Sequence, residues 1–323
     1  MSAMPASPFS SKNASQHHIR EEAELLARAL PPLLIEAERV ASIVSQGLHG
    51  RRRVGTGESF WQFRHYRPGD SAKQIDWRSS AKSDRLYIRE TEWEAAQSLW
   101  LWCDNSVSMN YASAFASVTK QKRAAVLALA LAHLVLRGGE RIACVNPNNA
   151  VPMTGRIALD RLAQTFMQAP EEDGNGNLPK HLPLPRYGRL VLIGDFFSPL
   201  ADIEACLRFY SMRGVRGHLL QIVDPAEEDL PFKGRTEFLD MESDIRLFAG
   251  RAEELRPRYQ RRFAEHRDAI STFARHFGFG FAAHRTDRPA ETALLGLYAA
   301  LEGQPPITRP RSKSPADRFA TEA

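Results

Sequence analysis

Cysteine is scarce in this chain, with only Cys103, Cys144 and Cys206 among 323 residues. The three are odd in number, far apart, and each stands in an apolar stretch, so neither a disulfide framework nor a zinc site is expected. Unpaired cysteines of this kind suit a reducing compartment. We therefore expect a cytoplasmic protein.

The chain also lacks a long hydrophobic run. The longest, Ala124 to Leu136, has 13 residues, whereas a membrane-spanning helix needs roughly 18–20. The first residues hold no basic region followed by an apolar core, so they do not form a secretory signal. These features predict a buried core helix over Ala124 to Leu136, no membrane insertion, and a disordered leader over residues 1–20.

Neither sign of charge dominates. Lysine and arginine number 43 and aspartate and glutamate 38, for a net charge of +5, which permits only a weak attraction to acidic partners. The one basic run, Arg51-Arg52-Arg53, is not interleaved with aromatic residues on a recognisable nucleic-acid-binding fold. We interpret it as a solvated surface run and expect no nucleic-acid partner.

What the chain does contain changes in character along its length. Residues 21–97 begin with a helical pattern from Glu21 to Gly47, which Pro31-Pro32 should kink or divide. A segment dense in charge, aromatic residues and turn formers follows, from Arg51 to Glu94. Pieces such as Leu86-Tyr87-Ile88-Arg89 predict short strands there. This part is expected to form a small strand-rich N-terminal module.

From residue 98 to residue 301, near-continuous apolar runs alternate with helical patterns. This is typical of a buried parallel sheet with crossover helices, so the predicted fold class is α/β. The predicted strands are Leu99 to Cys103, Arg141 to Val145, Leu190 to Ile193, His218 to Val223 and Phe279 to Ala283. The predicted helices are Lys122 to Leu136, Ile157 to Met167, Asp202 to Met212, Ala252 to Phe277 and Ala290 to Leu301. Residues 302–323 are expected to be a disordered tail.

Three smaller segments have a local interpretation. Asp224-Pro225-Ala226-Glu227-Glu228 has the composition of a turn, and Phe232 to Leu247 is typical of a short hairpin. The helix over Ala252 to Phe277 carries an apolar stripe that predicts packing against the core, formed by Leu255, Tyr259, Phe263, Ile270, Phe273 and Phe277.

The strongest chemical signal follows the first strand of the predicted sheet. Leu99-Trp-Leu-Trp-Cys103 is succeeded at once by Asp104-Asn-Ser106-Val-Ser108. An acid with hydroxyls two and four residues later places three oxygen ligands at the carboxyl edge of the sheet, where α/β folds bind ligands. Oxygen ligands suit Mg²⁺, which keeps several waters in its coordination sphere. Positions would remain for water and for a carboxylate from a partner.

A second acid ends a later strand, in Leu190-Val-Leu-Ile-Gly194-Asp195. Neighbouring parallel strands would bring Asp195 beside Asp104. Two buried carboxylates repel unless a cation neutralises them or one takes a proton, so the pair favours a metal ion. The alternative is that each aspartate caps the segment that follows it by accepting backbone N–H groups.

In these residues the chain resembles the metal-ion-dependent adhesion site of von Willebrand factor A domains, which combines Asp-x-Ser-x-Ser at a strand end with a later strand-terminal aspartate. The resemblance implies a von Willebrand factor A-like (Rossmann-like) sheet with flanking helices and a bound Mg²⁺ or Mn²⁺ ion. In that family a threonine from a middle loop completes the site. Here Val151-Pro-Met-Thr154-Gly155-Arg156 offers Thr154 without the usual surroundings.

The segment before the sheet domain holds a set of signature residues, namely Gly57, Glu58, Arg67, Pro68, Gly69, Asp70, Asp76, Trp77 and Arg78. In these residues the chain resembles the bacterial family called domain of unknown function 58. The resemblance covers roughly residues 23–301. Members are usually encoded beside MoxR-type AAA+ ATPases and other von Willebrand factor A-type proteins. The resemblance therefore implies these proteins as partners, in the assembly or maturation of protein complexes.

The signature also has a physical interpretation of its own. Pro68-Gly69 favours a turn, while Arg67, Asp70, Asp76 and Arg78 could form an ion-pair network that fixes the module against the sheet domain. Trp61 and Trp77 would supply its packing. Direct contact with a partner is the alternative role for this segment.

Three functions remain open at this point. The first is a non-catalytic interaction module whose metal recruits a carboxylate from a partner. The second is a metal-dependent, phosphatase-like hydrolase, but Ser106 stands where a second acid would be useful and no lysine or histidine follows Asp104 closely. The third is a structural scaffold with a vestigial metal site.

Overall fold

The structure is a computed structural model of the chain. It describes residues 31–46, 60–65, 77–81, 86–91, 98–146, 150–167, 177–186, 188–241 and 245–303. The predicted leader and tail lie outside these ranges. So do most of the signature residues, namely Gly57, Glu58, Arg67, Pro68, Gly69, Asp70 and Asp76.

A five-stranded parallel sheet forms the centre of the molecule. Numbered in chain order through the whole structure, its strands are β3 (Ser98–Cys103), β4 (Arg141–Cys144), β5 (Arg189–Gly194), β6 (Arg216–Val223) and β9 (Phe279–Arg285). They lie in the order β4-β3-β5-β6-β9. The middle strands read as unbroken apolar runs because helices cover both of their faces. The predicted strands are confirmed to within two residues at each end.

Helices cover the two faces of this sheet. They are α1 (residues 31–46), α3 (Lys120–Arg137), α4 (Gly155–Phe166), α5 (Leu200–Ser211), α7 (Ala252–His276) and α8 (Ala290–Glu302). One core cluster joins α1, α3, α4 and α8 to the sheet, and a second joins α5 and the end of α7 to its other face. The predicted α/β class, with a central parallel sheet between helical layers, is therefore confirmed.

The apolar run Ala124 to Leu136 belongs to α3, which buries twelve of its 18 residues. The helix is apolar all round because the sheet, α1, α4 and α8 share its surface. This confirms the predicted core helix. Across the ranges that the structure describes, no helix is long and apolar enough to cross a membrane.

Helix α1 packs into the same core as α3 and α8. Its Val40 and Ala41 are fully buried in that cluster. Two ion pairs flank the contact, Arg39 with Glu291 at 3.2 Å and Lys122 with Glu36 at 3.5 Å. The sequence pattern led us to assign this helix to the N-terminal module. In the structure, its apolar side completes the core of the sheet domain.

The N-terminal module is described only in part. Its elements are β1 (Phe60–His65), α2 (Trp77–Ser80) and β2 (Tyr87–Thr91), and β1 pairs antiparallel with β2. The predicted short strands are therefore present. Trp77 was expected to supply packing, but its side chain is 65% exposed, so that expectation is wrong. The side chains of Trp61 and Arg78, and with them the proposed ion-pair network, lie outside the described residues.

Two local predictions need correction. The segment predicted as a turn is a short helix, α6 (Pro225–Asp229), because Asp224 and Glu227 form a capping box at its start. The stripe of α7 is buried only near its end, at Ile270 and Ala274, whereas Leu255 is exposed and Tyr259 and Phe263 are half-buried. Between α6 and α7, the predicted hairpin is confirmed as β7 (Thr236–Leu239) and β8 (Arg246–Ala249).

The contact between β5 and β6 is close enough to test by substitution. A Cβ atom at Gly217 would lie 1.6 Å from the Leu190 carbonyl oxygen, whereas nothing lies within 4 Å of that position at Gly296 on α8. We expect Gly217→Ala to lower the free energy of unfolding by about 3 kcal/mol, since backbone must move. Gly296→Ala should raise it by about 0.5–1 kcal/mol. Urea unfolding measures both, and equal midpoints would contradict this packing.

Candidate functional site

Asp104 and Asp195 stand side by side at the carboxyl edge of the sheet. Asp104 follows β3 and Asp195 follows β5, the strands are neighbours, and the Asp104 backbone N–H donates to the Ile193 carbonyl at 2.8 Å. On one side of β3 lies β4, and on the other lie β5, β6 and β9. The order of the strands thus reverses between β3 and β5, which is where open α/β sheets bind ligands.

The backbone around Asp195 is shaped to let the two acids approach. A Cβ atom at Gly194 would lie 2.8 Å from the Asp104 Cβ atom and 3.0 Å from its Oδ2 atom, so only glycine fits there without displacement. The next residue, Phe196, has a φ of 54°, a left-handed conformation that costs a bulky residue about 1–3 kcal/mol. Such local strain is often retained at functional sites.

The two serines form a chain of hydrogen bonds that ends on Asp195. The Ser108 hydroxyl donates to Asp195 Oδ2 at 2.7 Å, and the two serine Oγ atoms are 2.9 Å apart. The Ser106 hydroxyl has two acceptors in reach, Ser108 Oγ and the Asp104 carboxylate, whose pKa a side-chain hydrogen bond from Ser106 lowers. In either case the hydroxyl oxygens of Ser106 and Ser108 keep lone pairs that a cation can use.

Each aspartate also accepts one backbone N–H from two residues ahead. Asp104 Oδ1 accepts from Ser106 at 2.8 Å, and Asp195 Oδ1 accepts from Phe197 at 3.2 Å. One oxygen of each carboxylate therefore caps the segment that follows it, as the alternative interpretation of the two aspartates predicted. The other oxygen differs between the two, because Asp195 Oδ2 is fully used whereas the buried Asp104 Oδ2 has no hydrogen-bond partner.

Lys120, the first residue of α3, places an ammonium group in this cluster. Its Nζ atom lies 2.8 Å from Asp195 Oδ2 and 2.5 Å from Glu227 Oε1, and its side chain is 0% exposed. Burial alone lowers the pKa of Lys120, but Asp195 and Glu227 more than offset this and leave the pKa above its usual value. The lysine is therefore charged, and it joins the cluster although it does not follow Asp104 closely in the sequence.

Lys120 and Glu227 were missed because they are distant in sequence. Lys120 is 75 residues from Asp195 and 107 from Glu227, and no periodicity reports such a contact. One local signal was available. The first turn of α3, Lys120-Gln121-Lys122-Arg123, holds three basic residues and no acid, which opposes the helix dipole and indicates that carboxylates elsewhere compensate it.

The cluster as a whole lacks positive charge. Lys120 balances one of the two carboxylates that it contacts, and Asp104 adds another. Burial, and then the proximity of Asp195, raise the pKa of Asp104 to about 7. The surroundings of Asp104 therefore favour a proton on its carboxyl, or a cation beside it, more than water does.

The residues present fit a hydrated hard cation. Asp104 Oδ2, Ser106 Oγ and Ser108 Oγ are oxygen donors with free lone pairs, and Mg²⁺ accepts such ligands together with water. Asp195 would act as the acceptor that orients Ser108. Among the described residues no three histidine, cysteine, aspartate or glutamate side chains converge on one metal position, so a tightly held zinc-like ion does not fit.

Thr154 does not join the cluster. It is exposed and precedes α4 without a capping hydrogen bond from its side chain. Met153 pairs antiparallel with Ile142 of β4, so the chain continues from there toward the amino end of β4. Thr154 therefore stands toward the edge of the sheet opposite to Asp104.

Comparison with known proteins places this chain in a family. Residues 62–269 match the family described as "Protein of unknown function DUF58". The chain belongs to the DUF58 family. The matched DUF58 region contains Asp104, Ser106, Ser108, Lys120, Asp195 and Glu227, so the whole cluster lies within it.

Relatives of this DUF58 protein include uncharacterized proteins of Mycobacterium bovis and of two strains of Mycobacterium tuberculosis. Each is 26% identical over 275 residues, which cover 81% of this chain and 86% of the relative. Among solved structures, BatB of Bacteroides thetaiotaomicron is 10% identical and an aerotolerance-related membrane protein of Bacteroides fragilis, with multiple mutations to serine, is 15% identical. Both have a TM-score of 0.36, and each matches over its whole length to 64% of this chain. This similarity is too weak to carry an inference.

The charge of Asp104 predicts a specific dependence of stability on pH. Its pKa is raised from 3.8 to about 7 on folding, so its protonated form stabilises the fold below about pH 4 and this contribution is lost as pH rises through about 7. In chelator, Asp104→Asn should be more stable than the natural protein at pH 8, by about 2–4 kcal/mol. The difference should shrink toward zero at pH 4, as measured by urea unfolding.

Comparing variant with natural protein removes the contributions of other groups. His218 and His284 are buried and their pKa values are lowered to about 4, so they change stability with pH in both proteins alike. A difference between the two proteins that is constant from pH 4 to pH 8 would contradict the raised pKa of Asp104.

Proposed function

We propose that this protein is a non-catalytic interaction module that binds a partner through a metal ion at the Asp104, Ser106 and Ser108 cluster. The observation that carries the proposal is the buried, unpaired Oδ2 atom of Asp104, on the same loop as the hydroxyls of Ser106 and Ser108. We propose Mg²⁺ or Mn²⁺ as the ion and a von Willebrand factor A-like architecture for the domain. A carboxylate of the partner would complete the coordination.

Apolar side chains on the loops of the cluster support contact with a protein. Val107 stands between the two serines, Phe197 follows Asp195 by two residues, and Phe115 lies on the loop that leads into α3; these side chains are 42%, 41% and 59% exposed. Large apolar groups exposed around a polar centre are typical of protein-binding surfaces. A partner that places an acid on the metal could cover them.

The alternative is a phosphatase-like hydrolase, which the ammonium of Lys120 favours because phosphoryl transfer uses positive charge. That group, however, is fully buried and already bound to Asp195 and Glu227. We therefore favour the interaction module, and a screen with phosphomonoester substrates tests the alternative.

For the partner we propose a MoxR-type AAA+ ATPase, or another von Willebrand factor A-type protein, acting in the assembly or maturation of protein complexes. The resemblance noted in the sequence supplies these candidates. The open position on a metal bound to Asp104 supplies the physical motive, since an acidic side chain of the partner can fill it.

Metal binding is tested by thermal unfolding. An ion that binds only the folded protein raises the melting temperature with its concentration, so millimolar Mg²⁺ or Mn²⁺ should stabilise the natural protein. Asp104→Asn should abolish the response, whereas Asp268→Asn, the same change on the exposed surface of α7, should preserve it. A flat response of the natural protein to both ions would indicate a scaffold with a vestigial site.

Partner binding is tested by sedimentation of the purified protein with a MoxR-type ATPase, with and without nucleotide. We expect a complex in Mg²⁺ that is lost in chelator and with Asp104→Asn, but not with Asp268→Asn. The complex should tolerate moderate salt, since a direct metal–carboxylate contact is screened less than exposed ion pairs. No complex with any nucleotide would count against this partner, and a complex indifferent to chelator would count against the metal.

A further inference from the structure

We propose that Lys120 determines which charge of cation the cluster accepts. It would act as a positioning residue, a fixed internal counter-ion that matches the site to one divalent ion. The inference rests on the proposed metal site, and it adds a specificity determinant that the resemblance to von Willebrand factor A domains does not supply.

Lys120 is held both at its backbone and at the ammonium group of its side chain. Its backbone N–H donates to the Tyr111 carbonyl at 3.1 Å, and its Nζ atom binds Asp195 and Glu227. Glu227 is itself held, because its Oε2 atom accepts the Asp224 N–H at 2.9 Å in the capping box of α6. The Lys120 side chain therefore has no free path to solvent, where its charge would be screened.

Glu227 and Lys120 are also covered from outside. The Tyr259 hydroxyl on α7 donates to the Glu227 carbonyl at 2.5 Å. The ring of Phe197 has its centre 5.1 Å from Lys120 Nζ, a distance at which an aromatic ring attracts a cation. The ammonium of Lys120 is thus closed off from solvent, while the Glu227 side chain keeps 18% of its surface exposed.

A charge count then gives the direction of the preference. Asp104, Asp195 and Glu227 carry three negative charges when ionised and Lys120 carries one positive charge, so these four groups sum to −2, and to −3 without Lys120. Asp224, which is fully buried and donates its backbone N–H to Glu227, adds the same charge to both sums. Loss of Lys120 therefore shifts the preference toward an ion of higher charge. Charge that remains unbalanced in a buried site is costly because the surroundings screen it poorly, so the preferred ion should follow this count.

The experiment compares Tb³⁺ with Mn²⁺ on charge variants of the full chain, with terbium luminescence and competition by Mn²⁺ as readouts. In Lys120→Met the ratio of Tb³⁺ affinity to Mn²⁺ affinity should rise at least tenfold above that of the natural protein. Lys122→Met is the matched control, since this neighbouring lysine is half-exposed and pairs with Glu36 on α1. It should leave the ratio unchanged.

Two further variants separate charge from a general loss of structure. Glu227→Gln removes one negative charge but keeps an oxygen for Lys120, so it should move the ratio in the opposite direction. The double variant Lys120→Met with Glu227→Gln returns the cluster to −2 and should restore the natural ratio. If Lys120→Met does not fold, the opposite shift in Glu227→Gln decides the question.

The outcomes distinguish the two proposals. If the natural protein binds neither ion at Asp104, the proposed metal site is wrong, and the inference about Lys120 is wrong with it. Binding of Mn²⁺ that is lost in Asp104→Asn, with a ratio that neither Lys120→Met nor Glu227→Gln changes, would retain the metal site and overturn the role of Lys120.

Discussion

The buried ammonium of Lys120 contacts two carboxylates, and a third, that of Asp104, lies beside them; the surrounding structure can be understood from that imbalance. Lys120 joins α3 to Asp195 at the end of β5 and to Glu227 on α6, so one side chain fixes three elements at the edge of the sheet. The remaining negative charge falls on Asp104, whose outer oxygen is unpaired. A site that is incomplete by charge and by hydrogen bonding is prepared for a ligand.

The fold creates this imbalance by bringing strand ends together. β3 and β5 are adjacent and parallel, so residues that follow them must meet at one edge, and Gly194 removes the side chain that would keep the two acids apart. Hydrogen bonds from Ser106 lower the pKa of Asp104, but burial and the nearby Asp195 raise it by more. The loop therefore offsets only part of the negative charge that the two strand ends bring together.

The sequence predicted those parts of the structure that depend on local pattern. The strands and their parallel arrangement follow from apolar runs, and the meeting of Asp104 with Asp195 follows because two of those runs each end in an acid. Lys120 and Glu227 were not predictable in this way, because tertiary packing brings them from distant helices. The exposure of Trp77 and of the first half of α7 was missed for a related reason, since an apolar side chain does not report whether a partner surface covers it.

The packing of α1 changes how the domains of the chain must be counted. The chain contributes α1 to the core and contributes β3 to the same core from Ser98. The signature segment therefore lies in sequence between two elements of one core. A fragment cut at residue 98 would lose one wall of that core and expose the alanine-rich surface of α3, so the smallest autonomous unit must begin before α1.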